Sequence, residues 1–184
     1  LAAGAQAFGD GTHPSTRGVL AALSALDPVQ FTPRIACDIG AGSGIVTFAM
    51  QQRFHCPVVA VDVARSAIET VQDNARANAI ALAEDGRSPL AAGQVLALQA
   101  DGFAHPAMAA QAPFDLIAMN ILAEPLLALA AEAERHLASG GALILSGMLR
   151  WQDAALEAAY AALGLELTAR LTLGDWVTQL WQKP

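Results

Sequence analysis

The 184 residues are enough for one domain with a sizeable core. Although 54% are hydrophobic, alanine swells that figure, and no run approaches the roughly 20 uninterrupted apolar residues of a membrane span. A net charge of −7, with ten Lys and Arg scattered along the chain, excludes a nucleic-acid surface and suits either a basic partner or plain solubility. Two cysteines, Cys37 and Cys56, form neither a disulfide framework nor a metal site, and read as small buried residues of a reducing, cytoplasmic compartment. No secretory leader is visible, and Leu1 in place of Met suggests that a segment ahead of it has been removed.

Residues 7–17 combine two glycines, an Asp, a Pro and several hydroxyls, which predicts a loop. Ser15 or Thr16 is expected to cap the helix that follows, whose apolar face is Val19, Leu20, Leu23 and Leu26. The loop is either a capped entry to that helix or a site where Thr12, His13 and Thr16 hold a zwitterionic amino-acid tail. Next comes Ile35-Ala36-Cys37-Asp38-Ile39-Gly40-Ala41-Gly42-Ser43-Gly44, an apolar run broken by glycines, and a helix is expected from Ile45. Strand, glycine turn and helix in that order open a nucleotide-binding α/β fold. The run Pro57–Val61 ends in Asp62, about 20 positions after Gly40, where an acidic residue accepts hydrogen bonds from ribose hydroxyls.

Glycine spacing separates the cofactors. A dinucleotide fingerprint needs its third glycine at position 45, which is Ile. The pattern G-x-G-x-G therefore favours S-adenosylmethionine, a ribose without phosphate, over NAD or NADP and an oxidoreductase. Glycines that merely shape the turn are the bland alternative.

Ala64, Ala67, Ile68, Val71 and Ala75 predict an amphipathic helix, residues 81–93 an exposed loop, and Val95–Ala100 a strand ending at Asp101-Gly102. The run Phe114–Met119 predicts a buried strand that sets Asn120 at its carboxyl end, where such sheets bind ligands. Asn120 is otherwise a cap for a helix from about Leu122, with Pro125 in its first turn and Leu122, Leu126, Leu129 and Ala130 buried. Ser139-Gly140-Gly141 predicts a tight turn into the strand Ala142–Leu145, and Trp151–Leu163 a helix closed by Gly164. Glu166–Leu173 and Trp176–Trp181 alternate as a hairpin around Gly174-Asp175. Trp176, Trp181 and Tyr160 are expected in the core or an interface rather than against a substrate, and His55, His105 and His136 have no metal spacing.

Asp38-x-Gly40-x-Gly42-x-Gly44 with Asp62 resembles the first two motifs of class I methyltransferases. The segment Phe8-Gly9-Asp10-Gly11-Thr12-His13-Pro14-Ser15-Thr16 is similar to F-G-T-G-T-H-P-T-T of the ribosomal protein L11 methyltransferase family, Asn120-Ile121-Leu122-Ala123 to its N-I-L-A, and Leu145–Leu149 to its L-S-G-I-L. Asp10, Ser15 and Ala41 depart from the usual Thr, Thr and Cys. The resemblance implies a Rossmann-like, mostly parallel seven-stranded sheet with helices on both faces and a C-terminal antiparallel hairpin. It implies S-adenosylmethionine bound by Phe8, Thr12, Thr16, Asp38, Gly40, Gly42, Asp62, Asp101 and Asn120, with Asp101 accepting from the adenine amino group unless it only forms a turn. Asn120 would orient the accepting amine, and His13 or water would take its proton.

The implied substrate is ribosomal protein L11, methylated on lysine and α-amino groups. The family also has an N-terminal recognition domain, for which there is no room ahead of Phe8, so residues 1–184 are expected to be a single catalytic domain. Another protein, a small-molecule amine, or binding without catalysis are the alternatives. Neither nucleic acid nor membrane is expected as a partner.

Overall fold

Strands covered on both faces need nearly continuous apolar runs, and four short runs supply them: β1 (Ala36–Ile39), β2 (Val58–Asp62), β3 (Val95–Gln99) and β4 (Phe114–Asn120). The computed structural model describes residues 11–27 and 29–184, so the expectations for Phe8 and Asp10 lie outside the described residues. With β5 (Leu137–Leu149), β6 (Glu166–Leu173) and β7 (Trp176–Gln182), these strands form one sheet in the order β3-β2-β1-β4-β5-β7-β6. The first five are parallel, and the terminal hairpin pairs antiparallel to β5.

Alternation along each strand sorts the helices into two layers. Ala36, Val58, Leu116 and Ile144 face α1 (Pro14–Ala25) and α2 (Ile45–Phe54), which bury Val19, Leu23, Val46 and Met50 against them. Ala60 and Val95 face the same way and receive Val71 and Ala75 of α3 (Arg65–Ala77). The opposite face, with Cys37, Val59, Ile117 and Leu143, is covered by α4 (Pro106–Gln111), α5 (Ala123–Ala128), α6 (Ala130–His136) and α7 (Asp153–Ala161). Tyr160 of α7 is fully buried, and its hydroxyl donates to the Leu126 carbonyl of α5 at 2.7 Å. No helix among the described residues is long and apolar enough to cross a membrane.

The structure corrects several local expectations. The cap of α1 is His13, whose Nδ1 accepts from the Ser15 backbone N–H at 3.3 Å; Ser15 and Thr16 sit inside the helix and are buried. Leu122 and Ala64 hold the position before their helices and are exposed, because residues there face away from the sheet. Asn120 caps nothing, since two residues separate it from α5. Ser139–Gly141 is an irregularity within β5, not a turn before it: the β4 register jumps from Leu137 to Ala142, and Gly140 and Gly141 bond to Lys183. A turn Arg150–Gln152 precedes α7 and leaves Trp151 78% exposed. The short helix α4 carries too little periodicity to be read from sequence.

One glycine locks this frame at the carboxyl end of β5. Gly147 has φ +91°, and a Cβ there would lie 2.2 Å from the Ile121 carbonyl oxygen. Gly164 has φ +85° with nothing within 4 Å of such a Cβ. Gly147→Ala is therefore expected to lower unfolding free energy by about 3 kcal/mol or more, against roughly 1 kcal/mol for Gly164→Ala, which carries backbone strain alone. Urea unfolding of both variants checks this, and equal losses would refute the steric account.

Candidate functional site

The order of strands reverses between β1 and β4, so connections leave these neighbours in opposite directions and a crevice opens at their carboxyl ends. After β1 the chain turns at Gly40, whose φ of +80° suits glycine and where a Cβ would meet Ile121 Cγ2 at 2.3 Å. The turn is pinned to β2 by Gly40 and Ala41 N–H groups that donate to the Val61 carbonyl at 2.8 and 3.0 Å. Asp62, at the end of β2, accepts the Gly42 N–H at 3.0 Å and the Ala64 N–H at 2.9 Å, one on each carboxylate oxygen. Both bonds hold the carboxylate at the crevice and leave lone pairs for a ligand.

The other wall comes from far along the chain. Ser146 of β5 donates to the Ser15 carbonyl at 3.0 Å and bonds to the Thr178 hydroxyl of β7 at 2.8 Å, which fastens the start of α1 over the sheet. Asn120 then donates from Nδ2 to Thr16 Oγ1 at 3.3 Å. His13 packs edge-on against Trp176, ring centroids 4.6 Å apart, with its Nδ1 also 2.8 Å from Ser15 Oγ.

These walls enclose a cavity of about 440 Å³, within the roughly 300–1,000 Å³ of small-molecule sites. His13, Thr16, Gly40, Gly42, Asp62, Asp101 and Asn120 line it. Thr12 is exposed and Asp38 is buried behind the turn, so neither lines the cavity, and Phe8 is outside the described residues. Trp176, read as core or interface, is half-buried in the cavity wall instead. Its register was the available signal: Trp176 pairs with Leu149, and the start of an antiparallel β7 lies at the carboxyl end of β5. Asn74 was passed over as well. It is 6% exposed on the apolar face of α3 and donates to the Ser43 carbonyl at 2.9 Å, bracing the glycine turn from behind. No cluster of metal-ligating side chains occurs among the described residues.

The whole chain, residues 1–184, matches the family described as ribosomal protein L11 methyltransferase. A ribosomal protein L11 methyltransferase of Chelativorans sp. (strain BNC1) is 40% identical over 172 residues, covering 94% of this chain and 55% of that one. That of Rhodopseudomonas palustris (strain BisB5) is 36% identical over 179 residues, covering 97% and 57%. The chain thus spans about half the length of the curated relatives it matches. Among solved structures, a ribosomal protein L11 methylase from Lactobacillus delbrueckii subsp. bulgaricus superposes with TM-score 0.79 at 26% identity over 96% of this chain and 81% of that one. The 16S rRNA N2 G1207 methyltransferase of T. thermophilus, solved with AdoMet and guanosine, reaches TM-score 0.69 at 22% identity, covering 97% and 45%. The fold is that of the class I methyltransferases.

Asp38 carries the strongest electrostatic signature next to the cavity. It is 1% exposed, takes the Thr47 hydroxyl at 2.6 Å on Oδ2, and its Oδ1 meets no hydrogen-bond partner among the described residues. Burial pushes this carboxyl from 3.8 up to about 7; Thr47 pulls it down and nearby Asp62 adds to the rise. A raised folded value contributes stability that is present in full below the unfolded value and lost as pH rises through about 7. Asp38→Asn removes that dependence. The variant is expected to gain on its parent by roughly 1.4 kcal/mol per pH unit between about pH 4 and 7, then by no more. Urea unfolding across that range measures it, and two parallel stability curves would contradict it.

Proposed function

The chain belongs to the ribosomal protein L11 methyltransferase family, and on that footing we propose that it is the catalytic domain of a cytoplasmic, S-adenosylmethionine-dependent protein N-methyltransferase. The proposed substrate is ribosomal protein L11, at lysine side chains and its α-amino group. One observation carries the reading: Asp62 and Asn120, on strands to either side of the sheet's switch region, face one cavity with apolar walls between them.

The lining chemistry suits a nucleoside without phosphates. Asp62 offers carboxylate lone pairs to ribose hydroxyls, and Asp101 an acceptor at the rim for an adenine amino group. Val63 and Leu122, 63% and 68% exposed, give apolar surface to cover an aromatic base. Among the described residues neither Lys nor Arg lines the cavity, so a pyrophosphate would find no permanently cationic side chain there.

S-adenosylmethionine supplies a methyl group on a sulfonium, which leaves as a neutral thioether. The protein needs no nucleophile; it has to hold an amine in line and exclude water. Asn120 Oδ1 accepts an N–H of the incoming amine, which points the nitrogen lone pair into the cavity, while Trp176, Ile121 and Pro125 shield it from solvent. Lysine arrives protonated, with an ordinary pKa near 10.4, and sheds that proton before attack. His13 or solvent receives it. His13 takes a proton at Nδ1 only by giving up the Ser15 backbone N–H, and Ser15 Oγ at 2.8 Å is then placed to accept from it.

The test is methylation of purified L11 by the full-length protein carrying this chain, read by tryptic mass spectrometry. Methylated lysine and N-terminal peptides are expected; lysine methylation should rise roughly tenfold per pH unit from about pH 7 to 9 as neutral amine accumulates, and α-amino methylation should level off above about pH 8. Asn120→Ala should lower kcat by about a hundredfold, a larger loss than its effect on S-adenosylhomocysteine affinity. At a hundredfold excess over Kd that ligand should stabilise the protein by about 2.7 kcal/mol, and NAD should not. Binding without any added mass on L11 would remove this substrate, and absence of binding would remove the reading.

A further inference from the structure

We infer that Thr16 is a positioning residue for the methyl-accepting nitrogen: its hydroxyl accepts the Asn120 Nδ2–H and so turns the carboxamide carbonyl toward that nitrogen. This deepens the methyltransferase reading and rests on it. A carboxamide has a donor end and an acceptor end of nearly the same shape. Only the carbonyl end can accept from an amine, whereas the reversed orientation sets N–H against N–H. What holds one orientation is a fixed acceptor for the NH2 group, and Thr16 Oγ1 lies 3.3 Å from Nδ2. Thr16 is 2% exposed, so this acceptor is itself shielded from bulk water.

The placement of Thr16 is itself tightly determined. The carbonyl of the preceding residue, Ser15, accepts from Ser146, and Ser146 is the residue of β5 in register with Asn120 of β4. One turn further along α1, Gly18 lies so close to β7 that a Cβ would come within 2.1 Å of Thr178 Oγ1. Ser146 also bonds Thr178, so β5 and β7 together set the height and rotation of α1 at the point where Thr16 meets Asn120. Through these contacts a helix at the start of the chain orients an amide 104 residues away.

Thr16→Val keeps the shape and deletes the acceptor; Thr16→Ser keeps the acceptor. With L11 as substrate, the Val variant is expected to lose about ten- to a hundredfold in kcat at saturating S-adenosylmethionine, with a smaller change in KM for that cofactor, and Ser to restore most of the loss. Asn120→Ala combined with Thr16→Val should be no slower than Asn120→Ala alone, because the second change has nothing left to orient. A loss confined to KM, an unchanged kcat, or losses that multiply in the double variant would each overturn the inference. If the parent transfers no methyl group to L11 or any other amine, the methyltransferase assignment fails and takes this inference with it. A parent that is active beside an equally active Val variant sinks this one alone. Should the Val variant not fold, hydrogen exchange at the Asn120 side-chain amide of the parent decides: one protected N–H supports the Thr16 bond, and two rapidly exchanging ones refute it.

Discussion

Right-handed crossovers from neighbouring parallel strands must leave in opposite directions when the strand order reverses, and everything at the site depends on that constraint. From β1 the chain passes through α2, on one face, to β2; from β4 it passes through α5 and α6, on the other face, to β5. Neither connection covers the carboxyl ends of β1 and β4. The gap lies beside two segments whose identities are then free to serve a ligand, the turn after Ile39 and the segment after Asn120. Their closeness limits side-chain size: Gly40 and Gly147 each have a backbone or side-chain atom of Ile121 where a Cβ would go.

A topological gap alone is open, and α1 makes it a cavity. Its start is bound to β5 and β7 through Ser146 and Thr178, two buried hydroxyls. Buried hydroxyls are favourable only when paired, so this pair resists any shift of α1 that would leave one of them without a partner. The same docking brings His13 against Trp176 and Thr16 against Asn120. Stability and site geometry are thus fixed by shared bonds. The glycine turn has its own brace in Asn74, which satisfies the Ser43 carbonyl from the buried face of α3.

Where sequence reading succeeded, the signal was local. Apolar runs ending in Asp62 and Asn120, glycines crowded after Asp38, and the alternation around Gly174-Asp175 each specify an element from a few neighbouring residues. The misses share a different cause. His13 rather than Ser15 caps α1 because the entry geometry is set by contacts with β5 and β7, which are distant in sequence. Ser139–Gly141 looks like a turn by composition, yet the Lys183 backbone pairs with Gly140 and Gly141 and draws them into the strand. Trp176 carries no local mark that separates a core indole from a cavity wall; only its antiparallel register against β5 places it at the open end. Asn74 differs from its apolar neighbours by one polar group whose partner, Ser43, is visible only in three dimensions.

The carboxylates of the cavity are Asp62 and Asp101, with the carbonyl end of Asn120 beside them, Asp38 beneath the turn and neither Lys nor Arg in the lining among the described residues. That balance suits ligands rich in hydroxyl, amino and ammonium donors. It also suits a cationic ligand better than a phosphorylated one, because each carboxylate would gain from a positive neighbour. Asp38 is the extreme case. Its carboxyl is held near neutrality by burial, and a cation bound in front of it would favour the ionised form. Binding of a cation in the cavity and proton release from Asp38 are therefore coupled in sign.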